Sequence, residues 1–188
     1  MAMYPNNPGV EFQLVQEAGD GNNALTRVTL GSHTGTHIDA PRHIQADGSG
    51  ALVYLLEQMN GACEVVDLTG LESVISAADI PETKQRRILF RTKNSEADPD
   101  YFDDGFVALD DLAAEEMVRR GVRLVGLDAL SIRKRGTKNQ VHETFINSGI
   151  IIVEGLWLNQ APAGTYDLMC LPIKWNLDGA PARVVLRA

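Results

Sequence analysis

Apolar and polar positions change period several times along the 188 residues of this chain, and each change marks an element. Arg27 to Leu30 opens a strand predicted to run on into the segment that follows. Ala51 to Met59 is apolar at helical spacing between Gly50 and Gly61. Glu64 to Leu68 reads as a strand, Leu71 to Ala78 as a short helix stopped before Pro81, and Ile88 to Thr92 as a buried strand. Residues 93–105 are acidic, contain Pro99 and lack an apolar period, so a surface loop is expected. Leu112 to Arg120 is a helix with Asp110 and Asp111 at its start, arginines in its last turn and Gly121 just beyond. Val122 to Leu127 and Ile150 to Val153 are strands, with a helix over Glu143 to Ser148 between them. Met169 to Lys174 and Arg183 to Leu186 are the last strands. Strands alternate with helices mid-chain and cluster at both ends. That order predicts an α/β domain over residues 1–188 with a mixed β-sheet, and argues against a doubly wound sandwich.

Composition narrows the classes. With 44 % hydrophobic and 22 % charged residues the chain is globular, and at this length it buries roughly 70 % of its unfolded surface, so it folds without disulfides. The net charge of −8 argues against a nucleic-acid partner, which would require a basic face. No apolar run approaches the ~18 residues of a membrane span, and the first residues, MAMYPNNPGVEF, have neither the basic start nor the apolar centre of a secretory signal. Cys63 and Cys170 stand far apart in apolar surroundings and are expected to be buried free thiols, consistent with a cytoplasmic protein.

Three of the four histidines fall in residues 31–43, GSHTGTHIDAPRH. His33 and His37 have the spacing of a helical metalloprotease pair, but two β-branched threonines, Gly31, Gly35 and Pro41 oppose a helix. On a strand, His33, His37 and Asp39 share one face, with Gly35 leaving a gap between them. Two imidazoles and a carboxylate around a gap suit a zinc or manganese ion, and three ligands leave the open position of a catalytic site. His43, beyond the turn at Pro41, is either a further ligand or a base beside the metal. His142 and Glu154 are candidates for a second ion bridged by Asp39. For Glu154, which closes the apolar run IIIV, a solvated strand end is the competing reading. A cysteine nucleophile lacks a spare histidine to activate it.

These residues carry a resemblance. HTGTHIDAPRH (33–43) resembles the H-x-G-T-H-x-D-x-P-x-H signature of the cyclase family, which includes bacterial kynurenine formamidases and isatin hydrolases. The similarity continues through VGLDALS (125–131), VHETFINSGIIIVEGL (141–156) and LPIKWNLDGAPARVVL (171–186), nearly the whole chain in order. The resemblance implies a swivelling β/β/α type of fold and metal-dependent hydrolysis of amide bonds, in a homodimer or homotetramer. It implies one metal on His33, His37 and Asp39, a second on Asp39, His142 and Glu154, and proton transfer by His43. The expected activity is opening of an aryl formamide, as in the kynurenine pathway of tryptophan catabolism, or of a cyclic amide. The expected cofactor is Zn2+, two per chain, with Mn2+ the alternative. Ser131 and Thr36 are candidates to orient the substrate. A non-catalytic metal-binding protein and a metal-dependent lyase or isomerase are the competing functions. Two departures bear on substrate choice. Only three residues precede Tyr4, where family members carry a further strand that helps wall the pocket. After Ser131 the chain reads IRKRGTK, where kynurenine formamidases carry aspartate and proline. Arg133, Lys134, Arg135 and Lys138 are either a solvated loop or an attractor for an anionic substrate.

Overall fold

The structure is a computed structural model and describes residues 2–188. It has eleven strands and three α-helices among those residues. The strands are β1 (Glu11–Gln16), β2 (Leu25–Thr29), β3 (His37–Asp39), β4 (Gly61–Asp67), β5 (Val74–Ile75), β6 (Arg87–Arg91), β7 (Ala108–Leu109), β8 (Leu124–Leu127), β9 (Ile151–Glu154), β10 (Gly164–Pro172) and β11 (Gly179–Arg187). The helices are α1 (Leu56–Met59), α2 (Asp111–Arg119) and α3 (Val141–Asn147).

Seven strands close a barrel in the order β10-β11-β3-β9-β8-β6-β4. β4, β6, β8 and β9 run parallel, and β3, β11 and β10 complete the ring antiparallel. The mixed α/β character is therefore as expected, with the sheet closed on itself.

Alternation along the barrel strands divides the core in two. Leu89, Leu124, Ile151, Val153, Ile38 and Cys63 fill the barrel interior. Ile88, Phe90, Val125, Leu127 and Ile152 point outward and pack against Met117 of α2 and Phe145 of α3. The same parity positions the polar residues. Ile38 points inward, so His37 and Asp39 point out. Val153 points inward, so Glu154 joins Ile152 on the side that faces α3.

Several elements differ from expectation. The strand predicted from Arg27 through the histidines is two pieces, because Gly35 adopts φ +62° and turns the chain between β2 and β3. Residues 51–59 form a 3-10 turn and the four-residue α1, interrupted where Tyr54 and Leu55 are extended. The helix expected at 71–78 is instead β5, paired in parallel with β7, followed by a 3-10 turn at Ala77–Asp79. Helix α2 matches its signals closely: the Asp110 side chain accepts from the Ala113 N–H, and Gly121 takes a left-handed φ of +69°. Cys63 and Cys170 are buried free thiols. No described helix is long and apolar enough to cross a membrane.

β1 and β2 form a separate two-stranded hairpin in which every residue is exposed. Phe12 pairs with Val28 and Leu14 with Thr26 on one face, while Gln13 pairs with Arg27 on the other. Phe12 is 73 % exposed, so an amphipathic ribbon presents its apolar face to solvent.

Candidate metal centre

Glu154 is the register partner of His37 across β9 and β3, and Gly179 is the partner of Asp39 across β11. Directly opposed residues share a face, so the outer wall of the barrel carries His37, Asp39 and Glu154 together. Helix α3 packs on that wall and brings His142, whose Nε2 lies 3.2 Å from Glu154 Oε1 and 3.4 Å from Asp39 Oδ2. His37 Nε2 lies 3.4 Å from Glu154 Oε2 and 3.5 Å from Asp39 Oδ1. The turn at Gly35 returns the chain so that His33 Nδ1 comes within 3.0 Å of Asp39 Oδ1. His33 reaches the site from a turn and not from the expected strand face, and the structure brings its ring beside His37 and Asp39. Beyond β3, a 3-10 turn with Pro41 at its start carries His43 to the rim, its ring centroid 4.2 Å from that of His33 and 5.6 Å from that of His142.

Burial defines the chemistry. Asp39 is wholly buried, yet neither of its oxygens accepts a properly aligned hydrogen bond, and His37 Nε2 is likewise unpartnered. His37 Nδ1 donates to Gly35 O at 2.8 Å, which fixes a proton on Nδ1 and leaves Nε2 to face the carboxylates. Glu154 is held through Oε1 by the Ile132 N–H at 2.6 Å. A buried carboxylate without hydrogen bonds is costly unless it meets a cation. Ligand atoms of His33, His37 and Asp39 lie within 4.8 Å of one another, and so do those of Asp39, His43 and His142. Neutral imidazole and carboxylate are the donor set for zinc or manganese, so the residues fit a metal ion.

Protonation follows the same crowding. Burial opposes charge on His37 and His142, but the close Asp39 and Glu154 carboxylates overcome it and push both imidazoles up to about 10. Burial alone would raise Asp39, yet His142, His33 and His37 hold it well below the usual carboxylate range. Glu154, also opposed by burial and by Asp39, is drawn down to about 2 by His142 and His37. His43 differs: desolvation first, and then the charges of His33 and His142, lower its pKa against the pull of Asp39 and Glu154.

The remaining candidates have local partners. Thr36 Oγ1 donates to Gly155 O, and Ser131 Oγ accepts from the Arg133 N–H at 3.3 Å. Thr36 also lines a cleft of about 190 Å³ with Phe102, Phe106, Leu130 and Trp157, and no histidine lines it. Of the four cations after Ser131, Arg133 approaches Glu143 at 3.9 Å, Lys134 donates to Phe106 O and Arg135 pairs with Asp104. Those three hold their own loop, which favours the structural reading of the run.

Two aspartates gained no role from sequence. Asp128 accepts hydrogen bonds from Thr92, Asn94 and Ser95, tying the loop after β6 to the end of β8. Asp178 accepts from His33 Nε2 at 3.0 Å. The only signal for either was its place inside a stretch of family resemblance, VGLDALS or WNLDGAP.

A family model described as "Putative cyclase" matches residues 1–134. Among solved structures, a protein described as a "potential metal-dependent hydrolase with cyclase activity" is 34 % identical, with 99 % of this chain and 90 % of that chain covered and a TM-score of 0.87. A predicted metal-dependent hydrolase from Bacillus stearothermophilus is 33 % identical, with 99 % and 91 % covered and a TM-score of 0.84. An isatin hydrolase bound to the product analogue thioisatinate shares the fold at 18 % identity, with 97 % and 83 % covered and a TM-score of 0.79.

Proposed function

This chain belongs to the cyclase family of metal-dependent hydrolases, and from that premise we propose that it opens an aryl formamide of the N-formylkynurenine kind or a cyclic amide. The observation that carries the reading is the fully buried, unbonded Asp39 carboxylate ringed by His33, His37 and His142, with a fourth imidazole, His43, at the rim. His33, His37 and Asp39 would hold one ion, and Asp39, His142 and Glu154 would hold a second. Zn2+ is the proposed metal and Mn2+ the alternative. A metal bound by these residues would supply Lewis-acid polarisation of the amide carbonyl and a more acidic water.

The chain's own residues do the rest. His43 stands at the open side and is kept neutral near pH 7 by desolvation and by the neighbouring imidazoles. As the water oxygen adds to the carbonyl carbon, His43 takes the proton. As the C–N bond breaks, it returns the proton to the departing nitrogen. Asp39 and Glu154 supply the negative charge that retains the metal. Thr36 and Ser131 stay candidates to orient the substrate, although each is engaged in a local hydrogen bond.

A second reading rests on the Asp39, His43 and His142 grouping. In it, His43 is a ligand and the base lies elsewhere. His43→Ala separates the two, because a base can be removed without releasing metal.

We also propose a cytoplasmic homodimer or homotetramer. The buried free thiols support a reducing compartment, and the exposed apolar face of the β1–β2 hairpin supports cover by a second copy of the chain. Metal analysis of the purified protein, followed by assays with N-formylkynurenine, isatin and small cyclic amides, tests the activity. Metal-dependent hydrolysis of one of these is the expected result. A metal-loaded protein that turns over none of them contradicts the amide reading and favours a binder or a lyase.

A further inference from the structure

We propose that Asp178 and Gly179 form a seat for His33, with Asp178 a positioning residue that fixes the ring so that Nδ1, and not Nε2, faces the metal centre. The inference rests on the metal-centre reading above. His33 needs such a device because it lies in the turn ahead of β3, where no strand register sets its direction.

The geometry is specific. His33 Nε2 makes an aligned hydrogen bond to Asp178 Oδ2 at 3.0 Å. On the other side Nδ1 stands 3.0 Å from Asp39 Oδ1, yet that oxygen has no aligned hydrogen bond. A neutral imidazole carries a single N–H. Its proton therefore sits on Nε2, toward Asp178, and the Nδ1 lone pair looks into the cluster. A carboxylate behind a histidine ligand orients the ring and raises its basicity.

Gly179 supplies the floor. A Cβ at this position would lie 2.7 Å from His33 Cε1, 2.9 Å from Nε2 and 3.1 Å from Nδ1, so the imidazole rests where any side chain would be. Gly179 is also the register partner of Asp39, which places the seat and the facing carboxylate on adjacent strands. The segment is itself anchored: Asp178 O accepts from the Ala40 N–H at 2.9 Å, and Gly179 O accepts from Trp175 Nε1 at 3.0 Å. His37 has the opposite arrangement, with Nδ1 on a backbone carbonyl and Nε2 facing the site. The centre thus combines an Nδ1 donor with an Nε2 donor, a distinction invisible in the HTGTH spacing.

Two measurements test the seat. Nitrogen-15 NMR of the histidine rings in the metal-stripped protein should report His33 as the Nε2–H tautomer when it is neutral; a proton on Nδ1 overturns the inference, and this needs no variant. Zn2+ and Mn2+ titrations against a competing chelator should then show Asp178→Ala binding about 10–100-fold more weakly than the wild type. Asp178→Asn, which keeps an acceptor for Nε2–H, should recover most of that loss, and Gly179→Ala should weaken binding by displacing the ring. Wild-type affinity in Asp178→Ala overturns the proposal. So does an Asn variant as weak as Ala, which would make Asp178 itself a ligand, since its carboxylate is near His33 and His43. A wild type that takes up no metal defeats the metal-centre reading instead, and the tautomer still decides the seat.

Discussion

The β3–β9 pair and the β1–β2 pair are both short antiparallel ladders, yet they stand at opposite extremes of burial. In the first, His37, Asp39 and Glu154 are buried although they are charged or polar. In the second, Phe12, Leu14 and Val28 are exposed although they are apolar. Each pair runs against the hydrophobic rule in its own direction. Burying the Asp39 carboxylate without an aligned hydrogen bond demands a positive partner within the fold. Exposing an apolar ribbon demands a covering surface, because a two-stranded hairpin is marginal by itself in water. Where a chain departs from the pattern that would stabilise it alone, it points to a candidate binding surface: we propose a cation at β3–β9 and a second copy of the chain at β1–β2.

The largest effect is expected at the buried pair. Asp39→Ala removes the carboxylate facing His33, His37 and His142, and hydrolysis should fall to the uncatalysed background together with bound metal. Steady-state assays paired with elemental analysis check this, and retained turnover would detach Asp39 from the reaction. Next comes His43→Ala, which should keep the metal and the fold while kcat falls about 10²–10⁴-fold, the usual contribution of general acid–base catalysis. If metal is lost as completely as in His37→Ala, His43 belongs with the ligands.

At the exposed pair the effect is smaller. Burying one large apolar side chain stabilises an association by about 1.5–3 kcal/mol. Phe12→Asp should therefore weaken self-association by about 10–100-fold or somewhat more, with the melting temperature of the barrel little changed. Light scattering across a concentration series reads this, and a wild type that is monomeric throughout would remove the contrast.

The smallest and most graded effect concerns pH. In the metal-stripped protein His37 and His142 titrate near 10, against 6.5 in an unfolded chain. Raised values mean that their stabilising charge is fully present below pH 6.5 and is lost as pH climbs through 10. The melting temperature of the stripped protein should fall across that window. The loaded protein should show a flatter profile, because metal takes the place of the protons. Equal profiles for the two forms would argue against shared occupancy of one site.

Local signals made much of the fold legible. Asp110 and Gly121 bounded α2, and the apolar runs at 88–92 and 150–153 located β6 and β9. The site was legible for the same reason: HTGTHIDAPRH concentrates its chemistry within eleven residues. What failed depended on distant partners. Val74 and Ile75 became a strand by pairing with Ala108 and Leu109, more than thirty residues on. Closure of the barrel rests on β10 meeting β4, a register that no local period encodes. The continuous strand through the histidines failed at a single torsion, the positive φ of Gly35. Asp178 escaped notice because an aspartate before a glycine reads as a turn, and its partner His33 lies 145 residues earlier.

Elemental analysis of the wild type beside a His33→Ala/Asp39→Ala double variant, both purified without chelator, tests the metal centre most directly. The wild type should carry one to two zinc or manganese ions per chain. The double variant should carry almost none while keeping the circular dichroism of the folded barrel. Full metal occupancy in a folded double variant would contradict the account, because the ion would then sit somewhere other than the buried cluster around Asp39.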